Sequence, residues 1–530
     1  QVRLSATRQH PPISVPYLIP HPPMAVFSVL LLLAGASCTG ALRLNEQDSP
    51  DWPWNVVKPK VKAKARVFED DGSSGPAYPW SGSSSNRFRT GAVAATAPRV
   101  LQSAPTWSWK EEVDKSAKSA RFPNFTGLVR ATPLVDEKSN IYLSSVSSGS
   151  IYKISPEGKT VWKHMRSAAK LPGVSSIMKG KLFSADTSGK VFCLDMESGS
   201  TGWEIHVGPI AEDAWSLAAG EDMIIAPAIN EDMVAKSAEP QPNTRLVALN
   251  AADGSIAWKF DVPSGRKLVN TMVSIREGSC VFEDNLGEIY RLNLKTGETI
   301  WTAKMKEDRT PTVGAAIIDP AGEKVYSTWN QAGWEVNHMT LSGKVGAFNF
   351  TDGKPLWVYS TQYPTDGPPS VGLIDGSLTV IVGTGMSPSA PDPAMGVLSG
   401  QGEEHKARVT GIFAETSREG TLRLWRDVDS YYGAAAGDDA RPDPCQPKSA
   451  FSGPTVGGDG TMYLGYQSGD LVTIHDDNHD GYYVKRDITM YHTGTAFNAA
   501  PVITPGMLIA ATCDGLHVWK FSSESTPATV

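Results

Sequence analysis

The strongest constraint on the fold of this chain is a short segment that recurs along it and ends each time in a tryptophan. The clearest copies are GKVFCLDMESGSTGW (189–203), TRLVALNAADGSIAW (244–258), GEIYRLNLKTGETIW (287–301) and GKVGAFNFTDGKPLW (343–357). A shorter copy ends at Trp162, and a copy with a shifted glycine ends at Trp425. An internal repeat of this length indicates similar units that pack side by side.

Each copy has the pattern of two antiparallel strands joined by a tight turn. Alternating apolar residues such as Tyr290 and Leu292 form a strand, and a Thr-Gly or Asp-Gly pair turns the chain because glycine accepts a positive φ. Two more short strands precede each copy, so that four strands, named A to D in chain order, make one unit. The pattern predicts an all-β, eight-bladed β-propeller of four-stranded antiparallel blades, with seven blades as the alternative.

Ring closure is predicted to involve both ends of the repeat region. After CDGLHVWKF the chain ends one strand short of a complete last blade. The segment PTWSWKEE (105–112) resembles the end of a D strand, and we expect it to supply the missing strand and remove the exposed sheet edges. The seventh blade, which follows Gly481, has no tryptophan in the repeat register.

The tryptophans in this register are interpreted as packing between blades, because an indole buries a large apolar area and has an N–H to satisfy. They are Trp162, Trp203, Trp258, Trp301, Trp357 and Trp425.

Segments outside the repeat give the expected domain boundaries. Residues 1–23 contain no methionine and are interpreted as an upstream extension, and residues 24–41 predict a signal peptide whose apolar run is too short to span a bilayer. Residues 42–105, rich in Ser, Gly, Pro and Ala, predict a disordered linker or transit-like segment. The propeller is expected over 106–522 and a disordered tail over 523–530.

These boundaries predict a protein of the secretory pathway, extracellular or luminal, with an organelle reached by a bipartite signal-plus-transit leader as the alternative. No later stretch predicts a transmembrane segment in the mature chain. The net charge of −7 gives no basis for nucleic-acid binding. Asn124 and Asn349 are candidate N-glycosylation sites. The five cysteines are scattered, so no disulfide pairing is assigned.

The segment DDNHDGYYVKRD (476–487) has the spacing of a calcium loop. The repeat register places it in the C-to-D turn of the seventh blade, on the rim opposite the long insertions described below, so the predicted calcium is structural. His475 and His479 are interpreted as solvent-exposed. The predicted ligands are the side chains of Asp476, Asn478, Asp480 and Asp487 and the carbonyl of Tyr482.

The repeat, as in ALNAADGSIAW (248–258), resembles the tryptophan-docking motif of the PQQ-repeat, or quinoprotein alcohol dehydrogenase-like, β-propeller family, over about Trp107 to Phe521. In the enzymes of that family, the resemblance implies PQQ held by adjacent cysteines, with a calcium ion beside a catalytic aspartate. This chain has no adjacent cysteine pair. The resemblance therefore favours a non-catalytic member, without PQQ and with no catalytic or cofactor-binding residue assigned.

Long insertions are expected on one rim of the ring, because strands alternate in direction and the B-to-C and D-to-A connections emerge together. They are residues 227–243, 329–343, 383–405 and 429–448. Long loops on a rigid scaffold commonly carry binding function. The sequence therefore predicts an exported binding or interaction scaffold with a protein or small-molecule partner on this rim. The alternative is a PQQ-dependent or other cofactor-dependent oxidoreductase.

Overall fold

The computed structural model describes residues 78–101, 103–111, 127–166, 169–213, 215–234, 241–304, 315–330, 342–385, 405–415, 422–431, 435–437, 449–478 and 485–522, with residues 445 and 483. All of them belong to a compact unit of residues 61–530. Strands dominate this part of the chain, and its one α-helix, α1 (Glu231–Val234), has four residues. No helix in the described ranges has the length and hydrophobicity needed to cross a bilayer.

The strands form eight sheets of four strands each. Blade 1 consists of β2 (Leu134–Val135), β3 (Ile141–Ser145), β4 (Ser150–Ile154) and β5 (Thr160–Met165); blade 2 of β6 (Ser176–Met178), β7 (Lys181–Ala185), β8 (Lys190–Asp195) and β9 (Thr201–His206); and blade 3 of β10 (Ala218–Gly220), β11 (Met223–Ala228), β12 (Arg245–Asn250) and β13 (Ile256–Asp261). Blade 4 consists of β14 (Ser274–Arg276), β15 (Ser279–Glu283), β16 (Ile289–Asn293) and β17 (Thr299–Ala303); blade 5 of β18 (Ile317–Ile318), β19 (Lys324–Asn330), β20 (Gly343–Asn349) and β21 (Pro355–Ser360); and blade 6 of β22 (Ser370–Ile374), β23 (Ser377–Gly385), β24 (His405–Phe413) and β25 (Leu422–Tyr431). Blade 7 consists of β26 (Thr455–Val456), β27 (Met462–Gly465), β28 (Asp470–Ile474) and β29 (Ile488–His492), and blade 8 of β30 (Val502–Thr504), β31 (Met507–Thr512), β32 (Gly515–Lys520) and β1 (Trp107–Trp109).

The topology confirms an eight-bladed propeller and rules out the seven-bladed alternative. Blades 1 to 7 are antiparallel meanders in chain order, whereas blade 8 takes its outer strand from the N-terminal side of the repeat region. In that blade β1 pairs antiparallel with β32, with Trp107 opposite Val518 and Trp109 opposite Leu516. The ring is therefore closed as the segment PTWSWKEE predicted, by hydrogen bonds between the two ends of the repeat region.

Burial follows the position of each strand in its blade. The B strand β11 is buried at every residue. The D strand β9 alternates between exposed and half-buried residues because its outer side faces solvent. The hydrophobic clusters extend across neighbouring blades, as where Ile225 of blade 3 belongs to one cluster with Phe282 of blade 4. The core therefore consists mainly of the faces between blades.

The tryptophans of the D strands contact the C-to-D turn of the following blade. Trp162 of blade 1 lies against Gly199 of blade 2, and its Nε1 donates to the carbonyl of Met196 at 3.2 Å. The corresponding bonds run from Trp203 to Ala251 (3.0 Å), Trp258 to Leu294 (2.9 Å), Trp301 to Phe350 (3.0 Å) and Trp357 to Ala414 (3.1 Å). For Trp425 the structure describes only the backbone, which pairs with Thr410.

Trp107 of the closing strand makes the same contact, although the sequence analysis did not include it in the set. It lies against Gly158 of blade 1 and donates to the carbonyl of Pro156 at 2.9 Å. Blade 7 is the exception, because Thr489 occupies the tryptophan position opposite Thr473. Blade 8 explains the exception: its outer strand comes from elsewhere in the chain, so it has no C-to-D turn on which a tryptophan could dock.

Residues 97–101 and Ser103 contact blades 7 and 8, where the tryptophan is missing. The hydroxyls of Thr473 and Thr489 both donate to the carbonyl of Arg99, at 2.6 and 3.0 Å. Trp519 Nε1 donates to the carbonyl of Ser103 at 2.9 Å. A segment from outside the repeat thus bonds to both blades beside the tryptophan position.

A second N-terminal segment, residues 80–93, lies along the innermost strands and is called the plug below. Its backbone hydrogen-bonds to Val135, Ile177, Ile275, Ile318, Val371 and Val456, which lie in the A strands of blades 1, 2, 4, 5, 6 and 7. Trp80 and Thr90 of the plug are completely buried. The prediction of a disordered linker over 42–105 is therefore wrong for residues 78–101, because the inner strands supply backbone partners that the sequence of this segment does not reveal.

Candidate functional site

The centre of the ring is closed by the chain itself on the rim that carries the A-to-B and C-to-D turns. Tyr78 accepts a hydrogen bond from the backbone N–H of Gly180, in the A-to-B turn of blade 2, at 2.6 Å. Arg87 pairs with Glu221, in the A-to-B turn of blade 3, at 3.0 Å. Tyr78 comes just before the plug in the sequence, and Arg87 belongs to it. The plug and the residues next to it therefore fill this end of the central channel.

Arg89 holds the plug between blades 3 and 4. Its guanidinium donates to the carbonyls of Ser83 (2.9 Å), Leu217 (2.9 Å) and Val273 (3.1 Å). The side chain is buried, and desolvation lowers the pKa of Arg89 to about 10, so it stays protonated at neutral pH. All three acceptors are neutral carbonyls. The plug therefore brings a buried positive charge close to the axis of the propeller.

A cavity of about 40 Å³ remains on the other side of the plug. Ser83 and Ser84 of the plug line it, and the D-to-A connections of several blades supply the other lining residues: Arg130, Thr132, Val174, Ser216, Met272, Gly367, Pro368, Phe451, Ser452, Gly453, Phe497, Asn498 and Ala500. Since D-to-A and B-to-C connections share a rim, the cavity lies toward the rim of the long insertions.

The strand order places the long insertions as predicted. Residues 227–243, 329–343 and 383–405 connect B strands to C strands in blades 3, 5 and 6, and residues 429–448 lead from blade 6 to blade 7. Much of each insertion lies outside the described residues. Within the first insertion, α1 carries the exposed side chains of Glu231 and Asp232.

One buried carboxyl lies next to this rim. Asp366, in the D-to-A connection after blade 5, accepts a hydrogen bond from Asn330 Nδ2 at 2.6 Å. Asn330 is the last residue of β19, and its Oδ1 accepts from the backbone N–H of Thr365 at 2.8 Å. Burial raises the pKa of Asp366 to about 7, with the bond from Asn330 opposing the shift. The hydrogen bond between Asp366 and Asn330 therefore links the start of the insertion 329–343 to the connection that contains Gly367, which lines the cavity.

The predicted calcium loop lies between β28 and β29, on the rim opposite the cavity. The backbone N–H of His475 donates to the carbonyl of Asp487 at 2.9 Å, so the two ends of the loop meet. Asp476 and Asp487 are buried, Asn478 is described, and Asp480 and Tyr482 lie outside the described residues. In the described ranges, no group of three or more His, Cys, Asp or Glu side chains could hold a metal ion.

Two other sequence expectations concern exposed polar groups. His475 is buried and its Nδ1 lies 3.0 Å from the hydroxyl of Thr461, so the expectation of an exposed histidine is wrong there; His479 lies outside the described residues. Asn349 ends β20, and its Oδ1 accepts from the backbone N–H of Thr351 at 2.8 Å. Asn124, the other candidate glycosylation site, lies outside the described residues.

The structure contains a disulfide that the sequence analysis did not assign. Cys445, in the insertion before blade 7, bonds to Cys513, in the B-to-C connection of blade 8. The carbonyl of Cys445 accepts hydrogen bonds from Arg130 Nε (3.2 Å) and Asn498 Nδ2 (3.3 Å), two residues that line the cavity. Cys193 and Cys280 are buried thiols in β8 and β15. The disulfide thus fixes part of an insertion beside the cavity.

Several buried aspartates cap turns, and the sequence analysis did not single them out. Asp136 Oδ1 accepts from the backbone N–H groups of Lys138 (2.9 Å) and Asn140 (2.8 Å). Asp284 caps a turn of blade 4 and pairs with Arg266 of the preceding connection. The spacing of an Asp three or four residues before a Gly or Asn is the local signal for these caps. Their role is structural, because their oxygens bond the turn itself.

Comparison with known proteins gives related results by sequence and by structure. Residues 147–382 match the PQQ-repeat family model described as outer membrane protein assembly factor BamB. BamB of Moranella endobia (strain PCIT) is 25% identical over 198 residues, 36% of this chain and 44% of that protein. BamB of Burkholderia pseudomallei (strain K96243) is 24% identical over 274 residues, 50% of this chain and 64% of that protein. The chain thus spans less than two thirds of each relative.

Two solved structures share the fold at low sequence identity. BamB from Moraxella catarrhalis superposes with a TM-score of 0.50 at 14% identity, covering 79% of this chain and 99% of that one. Quinohemoprotein alcohol dehydrogenase from Comamonas testosteroni gives a TM-score of 0.53 at 12% identity, covering 85% and 79%. The predicted resemblance to PQQ-repeat propellers is confirmed, and at this level of identity the structural likeness concerns the fold alone.

Proposed function

We propose that this PQQ-repeat propeller is a non-catalytic scaffold that binds a partner protein on the rim formed by its B-to-C and D-to-A connections. The observation that carries the proposal is the plug: residues 80–93 fill one end of the central channel and leave a cavity of about 40 Å³. Pockets for drug-sized ligands and cofactors are typically several hundred Å³. The long insertions start and end on the same rim as that cavity, and loops on a rigid scaffold commonly carry binding function.

The matched relatives support a protein partner, because both are named outer membrane protein assembly factors. For this chain the partner is a proposal. Site-specific photocrosslinking in the protein's own cells tests it, with p-benzoylphenylalanine in place of Glu231 on the proposed rim or of Thr296 on the opposite rim. Both side chains are exposed. We expect a discrete crosslinked protein at position 231 and none at 296, and the reverse pattern would contradict the proposal.

A quinone enzyme is the competing function, and a direct test distinguishes it. PQQ and calcium are added to the purified protein, and the absorption spectrum and dye-linked oxidation of alcohols are recorded. The scaffold proposal expects neither a bound quinone chromophore nor turnover. Stoichiometric binding of PQQ together with turnover would contradict the scaffold proposal and show that the protein is a quinone-dependent oxidoreductase.

We also propose that the loop 476–487 holds a structural calcium ion through the side chains of Asp476, Asn478, Asp480 and Asp487 and the carbonyl of Tyr482. Support comes from the buried Asp476 and Asp487 at its two ends, which the bond from His475 to Asp487 brings together. Carboxylate, amide and carbonyl oxygens at this loop spacing are the ligands that calcium takes. Calcium should raise the melting temperature over that in EGTA, and Asp476→Asn should abolish the difference. Asp253→Asn, in the exposed turn of blade 3, is the control.

Export is the third part of the proposal. Its support is the apolar run in residues 24–41 together with the disulfide Cys445–Cys513, since disulfides persist mainly in oxidising compartments. Expression in a secretory eukaryotic cell provides the test. We expect a glycosidase-sensitive product whose mass shift is lost in the double variant Asn124→Gln/Asn349→Gln. An unmodified product retained in the cytosol would contradict export.

A further inference from the structure

The buried charge of Arg89 is in hydrogen-bond contact with a residue that lines the axial cavity. Its guanidinium donates to the carbonyl of Ser83, and Ser83 lines the cavity. The other two acceptors are the carbonyls of Leu217 and Val273, which carry no formal charge. Moving a cation out of water costs several kcal/mol, and dipoles alone compensate only part of that cost. The charge of Arg89 therefore favours a negative charge in the neighbouring cavity.

The lining of the cavity has the groups that would bind an anion. Among the described residues that line it, none is acidic, and Arg130 contributes a guanidinium whose Nε donates to the carbonyl of Cys445. Ser216 is buried, and its Oγ makes no hydrogen bond within the protein. The Ser83 hydroxyl donates only to the thioether sulfur of Met272, at 3.2 Å, which is a weak acceptor. These hydroxyls can donate to a stronger acceptor that enters the cavity.

The volume limits which anion fits. A cavity of about 40 Å³ accommodates about three water molecules at roughly 10–15 Å³ each. A carboxylate group is of that size, whereas a fused aromatic cofactor needs several hundred Å³. The apolar side chains of Val174, Phe451 and Phe497 restrict the remaining wall to compact groups.

We propose that the axial cavity is a binding site for a single carboxylate, held by the Arg130 guanidinium and the Ser216 hydroxyl, with the buried charge of Arg89 nearby. The proposal rests on the proposed binding function for its biological role, since a carboxylate on a partner chain would reach the cavity from the same rim. Its chemistry is testable on the purified protein alone, so it can fail while the rim still binds a partner.

Fluorine NMR with trifluoroacetate as the probe tests the site on the full chain. We expect saturable broadening of the fluorine signal by wild-type protein, and no such broadening of neutral trifluoroethanol. Ser216→Ala should weaken binding at least threefold, and Arg130→Gln at least tenfold. Thr504→Val is the matched control, because Thr504 also has a buried hydroxyl without a partner but does not line the cavity. This variant should bind like wild type.

Two results would overturn the proposal: no saturable broadening with wild type, or equal broadening with wild type, Ser216→Ala and Arg130→Gln. Far-ultraviolet circular dichroism and the melting temperature of each variant establish that it is folded. Competition then identifies the source of the carboxylate. Displacement of trifluoroacetate by acetate and by acetyl-diglycine equally indicates a small free anion. Stronger displacement by acetyl-diglycine than by acetate, with none by its C-terminal amide, indicates the end of a peptide chain.

Discussion

At the scale of single residues, the fold depends on a few buried polar groups that hydrogen-bond to elements distant from them in the sequence. Arg89 joins the plug to blades 3 and 4, and Asp366 joins the connection after blade 5 to β19. Such groups are costly to leave unsatisfied in the interior. Each therefore gives a substitution whose effect can be predicted from its contacts.

Replacing Arg89 by methionine keeps the length of the side chain and removes all three hydrogen bonds. The carbonyls of Ser83, Leu217 and Val273 lose their charged donor, so we expect a loss of about 2–5 kcal/mol in the free energy of unfolding, measured by urea denaturation. Arg99→Met is the control, because Arg99 is half exposed and bonds to carboxylates at the surface. It should cost less than about 1 kcal/mol. Equal losses would contradict the role given to Arg89.

Asp366 should make stability depend on pH. Burial raises its pKa from 3.8 to about 7, so the folded protein keeps the proton between these values while the unfolded chain ionises. The contribution of Asp366 is therefore fully present below about pH 4, falls by up to about 1.4 kcal/mol per pH unit and levels off above about pH 7. Urea titrations from pH 4.5 to 8 should show Asp366→Asn gaining stability relative to wild type as pH rises. A difference that is constant across this range would contradict the prediction.

At the scale of elements, the C-to-D hairpin and its tryptophan form the contact between blades. The turn glycine needs a positive φ, and it also needs to be small, because the indole of the preceding blade lies directly on it. These two requirements can be separated, since other turn glycines of this propeller have the same φ without a neighbouring side chain.

The variants Gly199→Ala and Gly278→Ala distinguish the requirement for a positive φ from the requirement for a small residue. Gly199 has φ +71°, and an added Cβ would lie 2.8 Å from Cδ2 of Trp162, whereas Gly278 has φ +65° and nothing within 4 Å. Both variants incur about 1–2 kcal/mol of backbone strain. Gly199→Ala should lose a further 1–3 kcal/mol or so from overpacking. Chemical denaturation measures both, and equal losses would show that the tryptophan contact does not restrict the turn.

The sequence predicted the hairpins because alternating apolar residues, a glycine turn and a terminal tryptophan are local signals. It did not predict the plug, because residues 80–93 have no hydrophobic period and their partners are the A strands of six blades. It also did not predict Thr489 as the replacement for tryptophan, since the reason lies in the missing turn of blade 8. The plug and Thr489 both depend on contacts between residues distant in the sequence, and such contacts leave no local sequence pattern.

At the scale of the whole molecule, ring closure depends on contacts between the ends of the repeat region. The chain order places the long insertions on one rim, and this much of the candidate site followed from the sequence. The cavity itself did not, because its lining comes from many separate connections and from the plug. Blade 8 is the weak point, since its outer strand β1 has three residues and is not linked to β32 by a hairpin.

The disulfide Cys445–Cys513 should compensate for that weakness. It connects the insertion before blade 7 to blade 8, and its sequence separation is 68 residues. Closing a loop of that length in the unfolded chain corresponds to about 4 kcal/mol of stabilisation in the chain-entropy estimate. We therefore expect dithiothreitol to lower the free energy of unfolding of wild-type protein by about 2–4 kcal/mol.

The double variant Cys445→Ala/Cys513→Ala should have the lower stability from the start and should not respond to dithiothreitol. Cys280→Ala removes a buried thiol that takes no part in a disulfide, so this variant should still lose stability on reduction. Because Cys445 also accepts hydrogen bonds from Arg130 and Asn498, reduction should weaken trifluoroacetate binding in wild type and in Cys280→Ala alike. If reduction changed neither stability nor anion binding, the disulfide would support neither ring closure nor the wall of the cavity.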